Sequence, residues 1–69
     1  MPLTMLNPGE ERLIKKIVGR DETKKFLENL GCIIGTKVEI VSGTRGNIIV
    51  KIRGSRLALD RDLAKRILV

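Results

Sequence analysis

The sequence contains no histidine, no tryptophan and no tyrosine, and only one phenylalanine and one cysteine. Each scarcity removes a class of function. Without histidine, one cysteine cannot complete a closed zinc site within a single chain. No nucleophile has a base to activate it, and no acid/base pair stands out. The carboxylates at Glu10, Glu11, Asp60 and Asp62 have the positions of turn and cap residues. One cysteine cannot form an internal disulfide, which fits a reducing compartment. No run approaches the roughly 18 apolar residues that a membrane span requires. The opening MPLTMLNPGEE lacks the basic and apolar regions that mark a secretory leader. These absences predict a cytoplasmic protein that is not an enzyme and holds neither cofactor nor metal.

What is present is Ile, Leu and Val. The apolar fraction of 42% is globular rather than disordered, and its β-branched bias favours strands. Sixty-nine residues make one small domain, expected over 1–69. A chain of that size buries only about 60% of its unfolded surface, so every large apolar side chain matters. Fourteen basic residues against eight acidic ones give a formal charge of +6. Such a surface meets acidic partners faster, whatever they are.

Along the chain, Leu3 to Leu6 is short and apolar and reads as a first strand. Asn7-Pro8-Gly9-Glu10 reads as a turn. Glu10 to Val18 is ambiguous: Leu13, Ile14, Ile17 and Val18 recur at helical spacing, but Ile14, Ile17 and Val18 are β-branched and Gly19 closes the segment. Asp21 to Leu30 is the clearest helix, with Asp21 as N-cap, Glu22 at the positive end of the dipole, and an apolar stripe of Phe26, Leu27 and Leu30. Gly31 falls where a left-handed C′ residue is wanted. Thr36 to Val41 and Ile48 to Arg53 alternate with period two around a hairpin loop, Ser42 to Asn47. Gly54-Ser55 turns the chain into a short strand, Arg56 to Leu59. Asp60 can cap a helical turn or two over Arg61 to Arg66, and Ile67 to Val69 ends as a strand. The whole predicts a mainly β protein with short helices, in a small antiparallel barrel whose closure removes sticky edges.

GCIIGTK, residues 31–37, invites a functional reading. A phosphate loop needs four residues between its glycines, and lysine before the threonine. Here three residues intervene and the order is reversed. A helix also precedes the stretch, so a phosphate would meet the negative end of a dipole. Cys32 follows that helix end and precedes two isoleucines, an environment for a buried, inert thiol. The stretch therefore reads as a joint: Gly31 stops the helix, Ile33 or Ile34 enters the core, and Gly35 lets the chain turn into the next strand.

The ordered set of signals is similar to a known family. It comprises Leu6-Asn7-Pro8-Gly9-Glu10, Ile14 with Ile17, Leu30-Gly31, Gly35 with Val38, Val50-x-Ile52-x-Gly54, Leu57-Ala58-Leu59, Ala64, and Ile67-x-Val69. The sequence resembles the ferrous iron transport protein A family (FeoA-like) over almost its whole length. The resemblance implies an SH3-like antiparallel β-barrel with a helix inserted after the second strand. It also implies that Glu11 to Val18 is a strand with a bulge between Ile14 and Ile17. Its implied role is a cytoplasmic accessory protein that binds a membrane ferrous iron transporter with a cytoplasmic GTP-binding domain (FeoB-like) and supports Fe²⁺ uptake. The sequence departs from the family where Asp60 follows Leu-Ala-Leu in place of the usual arginine; Arg61 stands one residue on.

The expected docking residues are Lys37, Lys51, Arg53 and Arg56 on the polar strand face, Arg45 on a nearby loop, and Lys24 and Lys25 on the outside of the helix. Gly31, Gly35 and Gly54 are the expected structural joints. Two other readings compete. A small basic barrel can bind nucleic acid, though single strands stack on aromatic rings and this chain has only Phe26, expected in the core. A metal-sensing relative of the iron-dependent repressor C-terminal domain would need ligands from a second chain, with Cys32 as one of them.

Overall fold

A computed structural model describes all 69 residues. After a 3-10 turn at Leu3–Met5 come β1 (Glu11–Leu13), β2 (Lys16–Ile17), α1 (Asp21–Asn29), β3 (Lys37–Gly43), β4 (Asn47–Ile52), β5 (Ser55–Asp60), α2 (Arg61–Ala64) and β6 (Ile67–Leu68). All pairings are antiparallel. A four-stranded sheet runs β1-β3-β4-β5, and β2 pairs with β6 in a second, two-stranded sheet. Fifteen buried residues, all apolar or Cys32, form one shared core, and no polar or charged side chain is buried.

The β3–β5 meander follows the period-two pattern. Val38, Ile40, Ile48, Val50, Ile52 and Leu59 point inward. β3 runs on to Gly43, so the hairpin loop is shorter than Ser42 to Asn47. The register slips between Ile40 and Ser42, a bulge that sets the exposed Gly43 opposite Ile48. A Cβ on Gly43 would meet an Arg61 Nη atom at 3.3 Å. That room lets Arg61 donate from both Nε and Nη2 to the Thr44 carbonyl, the Nε bond being 2.8 Å. Asp60, the departure from the family pattern, accepts from the Leu63 N–H at 2.8 Å and so caps α2.

The N-terminal third corrects several expectations. Leu3 to Leu6 is no strand: Met5 N–H bonds the Pro2 carbonyl and Leu6 N–H bonds the Leu3 carbonyl. Leu3 and Leu6 are both buried, and a spacing of three puts both on one side of a 3-10 turn but on opposite faces of a strand. Glu10 to Val18 is extended, not helical. Ile14 bonds Thr36 and Gly35, while Lys15 already bonds Leu68. The segment therefore changes sheets between two consecutive residues, at the place the resemblance implied a bulge. Spacing of three between the buried Ile14 and Ile17 fits a helix or a bent strand equally well, and pairing with residues far along the chain decides it.

In α1, Arg20 and not Asp21 is the N-cap residue, and no side chain bonds there. Asp21 and Glu22 lie in the first turn, where they still suit the dipole. Leu27 is the helix's one buried side chain; Phe26 is 51% exposed, against the expectation of a core role. Leu27 centres the buried face, and Phe26 lies about 100° around the axis from it. At the other end, Gly31 adopts φ +101. The Gly31 N–H bonds the Glu28 carbonyl and the Cys32 N–H bonds the Leu27 carbonyl, the paired bonds of a Schellman motif. This closure swings Cys32 into the core with no exposed surface and leaves Ile33 and Ile34 outside, at 43% and 64% exposure. The expectation that one of those isoleucines enters the core is thereby corrected.

Candidate docking surface

The outer face of the four-stranded sheet gathers charged side chains by register. Glu11 lies opposite Glu39, Glu39 opposite Lys51, and Lys51 opposite Arg56, one row across four strands. Lys37 precedes Val38 and Arg53 follows Ile52, and Val38 and Ile52 are partners, so those two cations lie at the same end of the β3–β4 pair. A concavity of about 350 Å³ is lined by Glu11, Lys37, Glu39, Lys51, Arg53 and Gly54, with no apolar residue. The protein's two ion pairs, Arg12–Glu10 and Lys65–Asp62, lie elsewhere. The side chains of Lys37, Lys51, Arg53 and Arg56 thus carry their charge to solvent without an internal partner.

Arg53 and Gly54 form the two-residue loop between Ile52 and Ser55, and both have positive φ, +52 and +83. Such loops favour Asn-Gly, because an L side chain is strained in this region. Arg53 is the only non-glycine residue in the chain held there.

The seven cations expected to dock divide into three places. Lys37, Lys51, Arg53 and Arg56 share the sheet face. Arg45 lies in the loop before β4, at the opposite end of that strand from Arg53, roughly 20 Å away at about 3.3 Å per residue. Lys24 and Lys25 are on α1, where Lys24 borders a separate groove of about 440 Å³ with Lys16, Ile17, Glu28, Cys32, Ile33 and Ile34. Sequence reasoning missed Glu11 and Glu39 as members of the sheet face: alternation between Val38 and Ile40 already put Glu39 outside, but β1 is exposed throughout and only its pairing with β3 places Glu11 there. It also missed the groove, because one of Ile33 and Ile34 is expected in the interior and both lie outside. The third expected joint, Gly35, has φ +90.

Cys32 forms part of that groove's floor. Burial pushes its thiol above the ordinary value of 9.0, so it stays protonated at neutral pH. No group of three or more Cys, Asp or Glu side chains converges on a point that could hold a metal ion. No helix is long and apolar enough to cross a membrane.

These features define a small SH3-like β-barrel whose outer sheet face carries charge without an internal partner and whose helix side exposes Phe26, Ile33 and Ile34. The FeoA of Stenotrophomonas maltophilia, described as a prokaryotic SH3 domain protein and crystallised with zinc, superposes with a TM-score of 0.86 at 24% identity, over 100% of this chain and 88% of that one. A manganese-dependent transcriptional repressor shares the fold alone, with TM-score 0.89 at 16% identity, over 97% of this chain but 39% of the repressor. A crystal structure of an iron uptake regulatory protein, FeoA, gives 0.90 at 28% identity, over 97% and 91%. A Methanocaldococcus jannaschii protein named for Fe(2+) transport protein A is 34% identical over 68 residues, 99% of this chain and 83% of its own length. The FeoA domain family matches residues 1–69, and the chain belongs to it.

Proposed function

We propose that this chain is a cytoplasmic accessory protein of ferrous iron transport. It docks on the cytoplasmic part of a membrane iron transporter with a GTP-binding domain and supports Fe²⁺ uptake through that contact, without catalysing a reaction. The family match along the whole of 1–69 carries the reading. The name of the Methanocaldococcus jannaschii relative, Fe(2+) transport protein A, points the same way. The unpaired cations of the sheet face add a physical means of docking, since charges of this kind steer encounter and fix orientation.

The test is a titration of the full chain with the transporter's purified cytoplasmic domain at two salt concentrations. A saturable one-to-one complex is expected, weakening with salt because its steering charges are screened, but less steeply than a contact with many phosphates. Nucleic-acid binding, which releases many counterions, would fall steeply over the same range. Recovery of RNA or ribosomal proteins alone in a pull-down from the native host would overturn the reading.

A further inference from the structure

Three features of the outer sheet face each work against the fold, and all three lie on one patch. Lys51 is directly opposite Arg56, and Glu11 is directly opposite Glu39. Like charges in cross-strand register destabilise a sheet, whereas alternating signs would stabilise it. Beside them Arg53 is held at φ +52, where asparagine or glycine is at ease. Solubility alone would be served by the same charges in alternating order. The order found is two negative residues, then two positive ones, across the row. Lys37 and Arg53 extend the positive side around the concavity.

We propose that this face is a docking site for a protein surface with two adjacent blocks of opposite charge. Carboxylates of the partner sit over Lys37, Lys51, Arg53 and Arg56, and a basic side chain sits over Glu11 and Glu39. The partner relieves both like-charge contacts, and the two-block pattern fixes its orientation on the sheet. A polyanion laid across the whole row, such as a phosphate chain, fits less well, because Glu39 stands directly beside Lys51 and repels it there, whereas a short acidic peptide can seat on the cation block alone. The left-handed Arg53 presents its guanidinium from a rigid two-residue turn, which lowers the ordering cost of the contact. The inference deepens the docking role proposed above and rests on it only for the identity of the partner.

The experiment uses the ¹⁵N-labelled full chain, titrated with a hexaglutamate peptide and, separately, with a duplex DNA of matched charge. Hexaglutamate is expected to shift the amides of Lys37 and of residues 51–56. Arg53→Asn removes backbone strain and Arg56→Gln removes a like-charge contact, so both variants are expected to melt at or above the parent temperature, by about 2–5 °C for the first. Each is nevertheless expected to weaken hexaglutamate binding about threefold. A stabilised Arg53→Asn that binds the peptide as well as the parent would overturn the site. So would DNA that moves the same amides at lower concentration than the peptide. If hexaglutamate seats here while the transporter domain fails to bind, the transporter reading falls and the site stands. If the transporter domain binds the parent and both variants equally well, the site falls and the transporter reading stands.

Discussion

The β3–β5 meander and the segments that close the barrel around it are built on opposite principles. In the meander, each strand pairs with its immediate successor across a short loop, so local alternation fixes both register and inward face. In the closure, partners are distant: Lys16 pairs with Leu68, Pro2 bridges Leu68, and Met1 and Val69 bond each other. Leu3 and Leu59 are both at most 1% exposed, so burial alone does not separate the two regions. What separates them is how much chain must be ordered before a contact forms, and the closure, held by short two-residue strands and single bridges, is expected to be the lower-stability unit.

Truncating one buried leucine in each region breaks or sharpens that distinction, and these are the largest effects expected. Leu59→Ala and Leu3→Ala should each cost about 2–5 kcal/mol, the range for emptying a buried leucine site. In a domain of this size each kcal/mol lowers Tm by about 4–8 °C. Hydrogen exchange should then divide them. Leu59→Ala should deprotect amides throughout the protein. Leu3→Ala should deprotect residues 1–18 and 67–69 while 38–52 keep most of their protection. Equal deprotection everywhere in the Leu3→Ala protein would show that the barrel opens only as a whole.

The same division governs what the amino-acid sequence discloses. Alternation at Val38 and Ile40 and at Ile48, Val50 and Ile52 is enough to place the meander, its loops and its core face. Asp60 is legible as a cap for similar reasons, because the bond it makes is three residues away. The closure is not legible this way. Ile14 and Ile17 are spaced as a helix would space them, and only pairing with Thr36 and Ile67 shows otherwise. There the family resemblance supplied what periodicity could not. The docking face divides along the same line. Its cations could be named from alternation within each strand, but their order beside Glu11 and Glu39 depends on register between β1 and β3, some 28 positions apart in the chain. The expectation that Ile33 or Ile34 enters the core fails because the Schellman closure fixes which residue after the helix turns inward. The residue after the glycine enters the core, and the next two do not.

That joint gives the next effect in size. Gly31 sits at φ +101, and a Cβ there would meet Ile52 at 3.7 Å, an ordinary contact. The cost of Gly31→Ala is therefore backbone strain rather than collision, about 1–2 kcal/mol. Chemical denaturation should show the loss with an unchanged m-value. A loss much above this would mean that the substitution also displaces Cys32.

Cys32 itself tests the joint through pH. Its folded pKa is raised by desolvation above 9.0, the value of an unburied thiol. Well below 9.0 the thiol is protonated in both states and stability does not depend on it. Above 9.0 the unfolded chain releases this proton first, so stability falls with rising pH until the folded thiol also ionises. The slope cannot exceed about 1.4 kcal/mol per pH unit. Cys32→Ala should be less stable at pH 7 but should lose less between pH 9 and 10 than the parent does. Parallel curves for the two proteins would mean that the thiol is not desolvated, and the joint would have to open to solvent.

The two helices offer the smallest and most direct comparison, because one is capped and the other is not. Asp60 accepts the Leu63 N–H, whereas Arg20, at the N-cap of α1, offers no acceptor and places a positive charge at the positive end of the dipole. Asp60→Ala should therefore cost about 1 kcal/mol, and Arg20→Ser should gain about 0.5–1 kcal/mol. The signs matter more than the sizes. Arg20 is exposed and makes no side-chain hydrogen bond or ion pair, so its replacement loses nothing in the folded state. Thermal melts of the two single variants and the double variant settle the matter. Asp60 and Arg20 share no hydrogen-bond or ion-pair partner, so the double should lie within about 0.5 kcal/mol of the sum. A destabilised Arg20→Ser would show that the bare cap is held by something other than helix chemistry, with the Arg20 side chain itself as the group to pursue.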